Sequence, residues 1–318
     1  MGSLAVDPRR ERDPRIRSFL WSLAVGVGVC APLTAQTLSP RAFWPGPRNT
    51  KVVSVGGVYQ EGDVLTDPSL PVEGTESETR SLSAGYLQYF DLAGRTASAN
   101  IEVPWVSTSL DAMFGRVGAS RDIKGFADLS LRMAVNLRGA PTMSVEEFRK
   151  FVQHPKPILG VSLEVVAPTG VYESDRIANL GSNRWAAKPT LGYIRQIRPG
   201  WTVEMALGAW FYGDNTDFLG QRREQEPLVA GEFHLIRPVR RSRPDFWVSL
   251  DLNFFSGART RTDGEQADND QNNSRIGITA LVPFAGSNAL KVAVSTSLVT
   301  EKGGDYSSLI VAYQKAWR

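Results

Sequence analysis

In several extended stretches of this chain, ionisable residues fall on one face of a period-two pattern and apolar side chains fall on the other. In the stretch 201–212, Glu204 falls on one face and Met205 and Leu207 fall on the other. This alternation is typical of β-strands. Charges that converge from several strands could select solutes by charge and size, or could pair with each other and hold the fold rigid. The candidates are Glu102, Asp128, Arg132, Glu164, Arg184, Lys188, Glu204, Glu232, His234, Asp251 and Arg275.

Two predicted loops, 168–183 and 214–225, are rich in Arg, Asn and Asp. Their side chains could form a mouth that meets solutes first, or an interlocked rim in which Asn and Asp serve turns. The candidate residues are Arg176, Asn179, Asn183, Asp214, Asn215 and Asp217. A third loop, 258–272, is acidic and could bind a divalent cation, although a solvated acidic loop is the simpler interpretation. We therefore expect neither a metal ion nor another cofactor.

The residue types do not favour catalysis. A hydrolase at the wall of a barrel would need a serine–histidine pair that faces lipid. The chain has two histidines: His154 precedes Pro155 in a predicted turn, and His234 shares the polar face with Glu232. No GxSxG elbow, HExxH zinc site or phosphate-binding loop occurs in the sequence. We expect that the protein is not an enzyme.

Twelve strands are predicted, with tight turns and long loops between them. They are 50–60, 78–90, 95–105, 126–137, 157–167, 184–197, 201–213, 226–238, 245–257, 273–284, 289–300 and 305–317. An even number of long strands, with short turns on one side and long loops on the other, predicts an all-β fold. The expected architecture is a transmembrane antiparallel β-barrel of the outer-membrane type. A soluble β-sandwich would alternate similarly, but its strands are usually shorter, about five or six residues.

Three further segments have their own predictions. A short helix is expected near 144–152 on the short-turn side, because Ser144 can act as N-cap and Glu147 completes a capping box. The segment 62–77 is predicted to be a long acidic loop. The segment 106–124 is predicted to be another loop, with a short helix within its DAMFGRVG sequence.

Residues 1–35 have the pattern of a secretory signal. Five arginines precede the apolar run 19–29, and a small residue, Ala35, ends a cleavage-like sequence. The alternative is an uncleaved membrane anchor, but polar residues interrupt the later half of a span of about 20 residues. The expected organisation is a signal peptide at 1–35, a periplasmic lead-in at 36–49 and an outer-membrane β-barrel at 50–318.

Charge and cysteine content exclude several functional classes. Loss of residues 1–35 would remove five basic and three acidic residues, so the formal charge would fall from +3 to +1. No basic stripe of the nucleic-acid-binding kind remains. The single cysteine, Cys30, lies in the predicted signal, which excludes a disulfide framework in the barrel. The expected partners are outer-membrane lipids and lipopolysaccharide, the barrel-assembly machinery and small-molecule solutes, with no nucleic acid.

The central part of the chain resembles a known family. The matching motifs are Ala167-Pro168-Thr169-Gly170, Asn179-Leu180-Gly181, Asn183-Arg184-Trp185, Lys188-Pro189, Asp214-Asn215, Gln225-Glu226-Pro227 and Asn273-Ser274-Arg275. These are similar to bacterial outer-membrane proteins assigned as transporters of the meta-pathway of phenol degradation. The resemblance covers most of residues 50–318 and implies a twelve-stranded outer-membrane barrel with a role in uptake.

Our hypothesis is therefore an outer-membrane channel for small compounds, with aromatic or hydrophobic molecules as candidates, which cross by passive diffusion through a polar lumen. The alternative is a closed structural barrel whose loops serve surface interactions and which transports nothing.

Overall fold

The computed structural model describes residues 40–64, 73–114, 117–176, 178–240, 242–285 and 287–318, and the statements below refer to these residues. The wall strands are β1 (Lys51–Val64), β2 (Glu73–Leu92), β3 (Arg95–Phe114), β4 (Val117–Phe126), β5 (Leu129–Arg138), β6 (Ile158–Ala167), β7 (Ala186–Arg198), β8 (Trp201–Tyr212), β11 (Leu228–Arg240), β12 (Arg243–Gly257), β15 (Gln271–Phe284), β16 (Asn288–Val299) and β17 (Gly304–Trp317). Shorter elements are β9 (Asn215–Phe218), β10 (Gln221–Gln225), β13 (Thr260–Thr262), β14 (Glu265–Gln266) and the helix α1 (Val145–Gln153).

The wall strands form a closed antiparallel sheet. Strand β1 pairs with β2 on one side and with β17 on the other, where Lys51 lies opposite Trp317. Strands β4 and β5 share one position in the wall, because β4 pairs with the second half of β3 and β5 with the first half. The described wall therefore has twelve strand positions, and the predicted twelve-stranded barrel is confirmed.

The barrel has its apolar side chains outside and its polar side chains inside. Leu82 and Leu207 are 59% and 61% exposed, whereas Asp251 and Arg275 are 0% and 1% exposed. Soluble proteins place these residue types the other way round. An apolar outer wall is what a bilayer requires, because lipid offers no partners for charged groups. Among the described residues, no helix is long and apolar enough to cross a membrane.

The two ends of the barrel differ. One end, called here the short-turn end, carries the start of β1, the end of β17, the turn 199–200 and the helix α1. Outward-facing aromatic residues lie near this end: the rings of Tyr86 and Trp317 are 6.5 Å apart, and those of Phe284 and Tyr313 are 6.2 Å apart. Such an aromatic belt marks the level of the lipid headgroups. The opposite end is called the long-loop end.

The predicted helix is confirmed, including its capping box. The Ser144 side chain accepts a hydrogen bond from the Glu147 backbone N–H at 3.3 Å, and the Glu147 carboxylate accepts one from the Ser144 backbone N–H at 2.7 Å. The hydrogen bond from the Ser144 backbone holds the pKa of Glu147 below its ordinary value. Phe148 of α1 is buried, so the helix packs its apolar face against the short-turn end.

Two predicted loops are largely strand. The short helix expected within DAMFGRVG is wrong, because residues 111–114 belong to β3 and residues 117–118 to β4, where Ala112 pairs with Ala119. Strand β1 also extends to Val64 and β2 begins at Glu73, which shortens the predicted loop 62–77. In both places the hydrogen bonds of the neighbouring strand stabilise an extended backbone that the local sequence does not indicate.

Candidate functional site

Residues 40–49 lie inside the barrel at the short-turn end. Their contacts come from interior positions on several strands of the wall. The Arg41 backbone N–H donates to Glu204 of β8 at 2.5 Å, the Ala42 carbonyl accepts from Arg132 of β5 at 3.0 Å, and the Trp44 carbonyl accepts from Tyr89 of β2 at 3.2 Å. These residues belong to the predicted periplasmic lead-in, 36–49. The aromatic residues of the described part pack against buried apolar residues of the wall and of α1.

A pair of glycines makes room for the ring of Phe43. Gly160 of β6 and Gly192 of β7 are paired residues in neighbouring strands, and both occupy positions that face the barrel interior. A Cβ on Gly192 would lie 2.3 Å from the Phe43 ring, and a Cβ on Gly160 would lie 2.6 Å from it. The Arg132 guanidinium covers the ring at 4.9 Å from its centroid. Because neither glycine has a side chain, the Phe43 ring can lie closer to the backbone of β6 and β7 than any other residue type would allow.

Opposite charges pair across the interior on β6, β7, β11 and β12. The Lys188 ammonium lies 3.7 Å from Glu164 and 3.7 Å from Glu232. His234 follows, with Nε2 3.5 Å from Glu232 and Nδ1 2.8 Å from Asp251. One lysine thus balances two carboxylates in a place from which water is largely excluded.

The Arg41 side chain packs against two tryptophan rings. Its guanidinium stands over the rings of Trp44 and Trp247, at 4.6 and 5.1 Å from their centroids. The Glu204 carboxylate accepts a hydrogen bond from the Arg41 backbone N–H and so attaches the turn 41–44 to β8. Cation–π contacts in a desolvated setting are worth about 2 kcal/mol. Arg41 therefore links residues 40–49 to the wall on two sides.

The structure places the eleven candidate lumen residues in separate groups. Glu164, Lys188, Glu232, His234 and Asp251 come together. The others are distributed: Glu204 and Arg132 hold residues 40–49, Glu102 is buried on β3, Asp128 and Arg184 lie at the long-loop end, and Arg275 donates to the Ser295 and Ser297 hydroxyls. Their role as the lining of a transport path stays a prediction.

A cavity of about 310 Å³ occupies the mouth at the long-loop end. Residues from four loop regions enclose it. The polar and aromatic residues that line it are Tyr172, Asn179, Ser182, Arg184, Asn215, Phe218, Arg223, Gln225, Thr260, Asn269, Gln271 and Lys302. We call this the mouth cavity. Its volume lies at the small end of the range of ligand pockets, about 300–1,000 Å³, so it suits one small molecule.

All six candidate mouth residues make contacts within the rim, and two of them, Asn179 and Asn215, also line this cavity. Asn215 joins two loops, since its amide contacts Asn183 at 2.9 Å and the Tyr172 hydroxyl at 2.8 Å. The Tyr172 hydroxyl in turn donates to the carbonyl of Asp217. Asn179 closes its own loop through hydrogen bonds to residues 173 and 176. The remaining candidates form ion pairs outside the cavity, Arg176 with Glu173 and Asp214 with Arg222.

A small sheet stiffens the mouth. Strands β9 and β10 form a hairpin in the loop 213–227, and β10 pairs with β13, which belongs to the next long loop. In that acidic loop, Arg259 contacts Asp270 at 3.0 Å and lowers the pKa of that carboxyl, while Lys302 contacts Asp268 at 3.1 Å. Basic partners thus balance these carboxylates. No group of three or more His, Cys, Asp or Glu side chains in the described ranges is arranged to hold a metal ion.

Asp128 anchors the loop 168–185 to the wall. Its carboxylate accepts hydrogen bonds from the Gly170 backbone at 2.9 Å, the Ser182 backbone at 2.8 Å and the Ser182 hydroxyl at 2.6 Å. We expect Asp128→Ala to increase the rate of tryptic cleavage in this loop at least about tenfold, because hydrogen bonds to a charged group contribute about 1.5–3 kcal/mol each. Limited proteolysis followed by mass spectrometry measures this.

The matched control for Asp128 is Asp122→Ala on β4, which removes an exposed carboxylate that accepts from Ser109. Equal cleavage of both variants would contradict the anchoring role.

Several residues of the site were not identified from the sequence. They are Arg41, Phe43, Trp44, Gly160, Gly192, Arg223 and Lys302. The two glycines could have been identified from the sequence. Each occupies an inward position in a stretch of period two, and a glycine at such a position indicates that another part of the chain approaches the strand closely. The segment 40–49 has no periodicity, and its place depends on strands far away in sequence.

The fold and the polar interior define the class: this is a β-barrel of the outer-membrane type. Among solved structures, the chain is similar to the COG4313 outer membrane channel from Pseudomonas putida F1, with 22% identity, a TM-score of 0.75, and coverage of 88% of this chain and 100% of that one. It is also similar to the β domain of the Bordetella autotransporter BrkA, with 9% identity, a TM-score of 0.51, and coverage of 85% and 100%. No curated protein matches the chain.

The chain belongs to the family described as "Putative MetA-pathway of phenol degradation", whose profile matches residues 60–305. The resemblance noted in the sequence is thereby confirmed.

Proposed function

We propose that this protein is a passive channel of the outer membrane that admits small aromatic or hydrophobic compounds at its long-loop end. The observation that carries this proposal is that the two ends are closed by different means. At one end, loops frame a cavity. At the other, the obstruction is a peptide segment, residues 40–49, that is not part of the wall. The backbone hydrogen bond from Asn49 to Tyr89 continues the β1–β2 pairing, whereas residues 40–48 can move without breaking a strand pair of the barrel.

The comparisons support this function without specifying a solute. The family description refers to phenol degradation, which favours aromatic compounds. The similar protein from Pseudomonas putida is an outer membrane channel. In this proposal the predicted signal at 1–35, which lies outside the described residues, directs export. The barrel-assembly machinery then inserts the chain, and outer-membrane lipids and lipopolysaccharide surround the apolar wall. No catalytic role is proposed.

The second candidate is a closed structural barrel whose loops serve surface interactions. The observation in its favour is that the charges around Lys188 satisfy each other inside the wall. A network of this kind could hold the barrel rigid rather than select solutes.

Uptake measurements separate the two candidates. We expect that a strain lacking the gene takes up small aromatic acids and alcohols several-fold more slowly than its parent. The gene supplied on a plasmid should restore uptake, and sensitivity of the cells to detergent should not change. Unchanged uptake together with increased detergent sensitivity would overturn the channel and support the structural barrel.

A further inference from the structure

The mouth cavity carries positive charge. Its lining contains Arg184, Arg223 and Lys302, and no carboxylate is among the lining residues. The acidic groups around the cavity have their own partners. Asp214 pairs with Arg222, Asp128 accepts hydrogen bonds from the loop 168–185, and Asp268 pairs with Lys302. The residues that line the cavity therefore carry a net positive charge. A concave surface lined by one sign of charge concentrates ligands of the opposite sign.

One of these cations, Arg184, has an unused hydrogen-bond donor. Its Nη2 donates to the Gln225 side chain, and its guanidinium lies over the Tyr212 ring at 4.8 Å from the centroid. Its Nη1 is buried and has no hydrogen-bond partner among the described residues. None of the ion pairs between described residues includes Arg184.

Burial determines the electrostatics of this arginine. It lowers the pKa of Arg184 to about 10, so the side chain stays charged at neutral pH. A buried charge with an unused donor is unfavourable, and an incoming carboxylate would offset this cost through a charge-assisted hydrogen bond.

Aromatic side chains border the same space. Phe218 lines the cavity, and the Arg223 guanidinium covers its ring at 4.5 Å from the centroid. Tyr172 of the loop 168–185 also lines the cavity, and its hydroxyl accepts a hydrogen bond from the Asn215 amide. Planar faces next to cationic groups suit a ligand that has both a ring and a negative charge.

We propose that the mouth cavity is a binding subsite for one small aromatic carboxylate, whose negative group contacts Arg184 and whose ring lies among Phe218, Tyr172 and the Arg223 guanidinium. This rests on the proposed channel function and adds a charge preference to it. A neutral aromatic compound of the same size binds the same space more weakly.

The test compares benzoate with benzyl alcohol, which has the same ring and no charge. Binding of each to the full-length protein in detergent is measured by calorimetry or by ligand-observed NMR. We expect Arg184→Gln to weaken benzoate binding about 10- to 100-fold, the usual effect of losing a hydrogen bond to a charged group. Binding of benzyl alcohol should change less than about threefold.

The control variant is Arg80→Gln. Arg80 lies on β2, is not among the residues that line the cavity, and its exposed side chain pairs with Glu78. This variant should bind both compounds as the unchanged protein does. Arg184→Lys keeps the charge and should retain more benzoate binding than Arg184→Gln. Heat-modifiable migration in gels verifies that each variant is a folded barrel.

Two results would overturn the subsite: benzoate affinity that Arg184→Gln leaves unchanged, or an equal loss for benzoate and benzyl alcohol. These results differ from failure of the channel. Binding that depends on Arg184 without any transport would support the subsite and refute the channel, whereas transport without benzoate binding would refute the subsite alone.

Discussion

Gly192→Ala is expected to convert a barrel closed at its short-turn end into one that admits solutes. The added Cβ would lie 2.3 Å from the Phe43 ring, so the ring cannot keep its place. Overpacking of this kind costs about 1–3 kcal/mol. When this free energy destabilises residues 40–49 in their place inside the barrel, the equilibrium between the bound and the displaced segment shifts towards the displaced state about 5- to 150-fold. Swelling of liposomes that contain the purified protein, and conductance of single channels, measure the change.

The control for this prediction is Gly231→Ala on β11, where an added Cβ meets Phe254 only at 4.0 Å. That variant should swell liposomes at the original rate.

A double variant tests whether Phe43 transmits the effect. Phe43→Ala removes the ring that would collide, so Gly192→Ala should add nothing further in that background. An equal additional increase in both backgrounds would show that the alanine acts on the wall and not on residues 40–49. Gly160→Ala, on the opposite strand, should behave like Gly192→Ala because its Cβ would lie 2.6 Å from the same ring.

Lys188→Met is expected to destabilise the barrel by about 3–5 kcal/mol, the typical cost of removing one member of a buried ion pair. The substitution leaves Glu164 and Glu232 facing each other without the cation that lies 3.7 Å from both. It also removes the ammonium 5.1 Å from the Trp210 ring centroid. Urea-induced unfolding in lipid vesicles, followed by gel mobility, measures the loss.

The comparison is Lys302→Met, whose partner Asp268 has a side chain that is 85% exposed. Exposed pairs contribute about 0–1 kcal/mol, so this variant should unfold close to the urea concentration of the unchanged protein. Replacing Glu232 by Gln together with Lys188→Met should recover part of the stability, since one uncompensated charge disappears. An unchanged unfolding midpoint for Lys188→Met would show that the interior is well solvated and the charges independent.

The architecture was accessible from the sequence because it depends on local pattern. In β8, alternation alone assigned Met205 and Leu207 to the outside and Glu204 to the inside, which is where they lie. A bilayer enforces this pattern on every wall strand, since a charge placed outward at its midplane costs about 2–4 kcal/mol. The helix α1 was equally local, because Ser144 and Glu147 are three residues apart and form their capping box without distant help.

Contacts between distant segments were not accessible in this way. Phe43 lies between Gly160 and Gly192, residues more than a hundred positions further along the chain, and neither side of that contact predicts the other. The mouth cavity likewise draws Arg184, Phe218 and Lys302 from three separate loops, which meet only when β1 and β17 close the sheet. Periodicity assigns each side chain to a face of its own strand. Closure of the barrel determines which faces and loops meet.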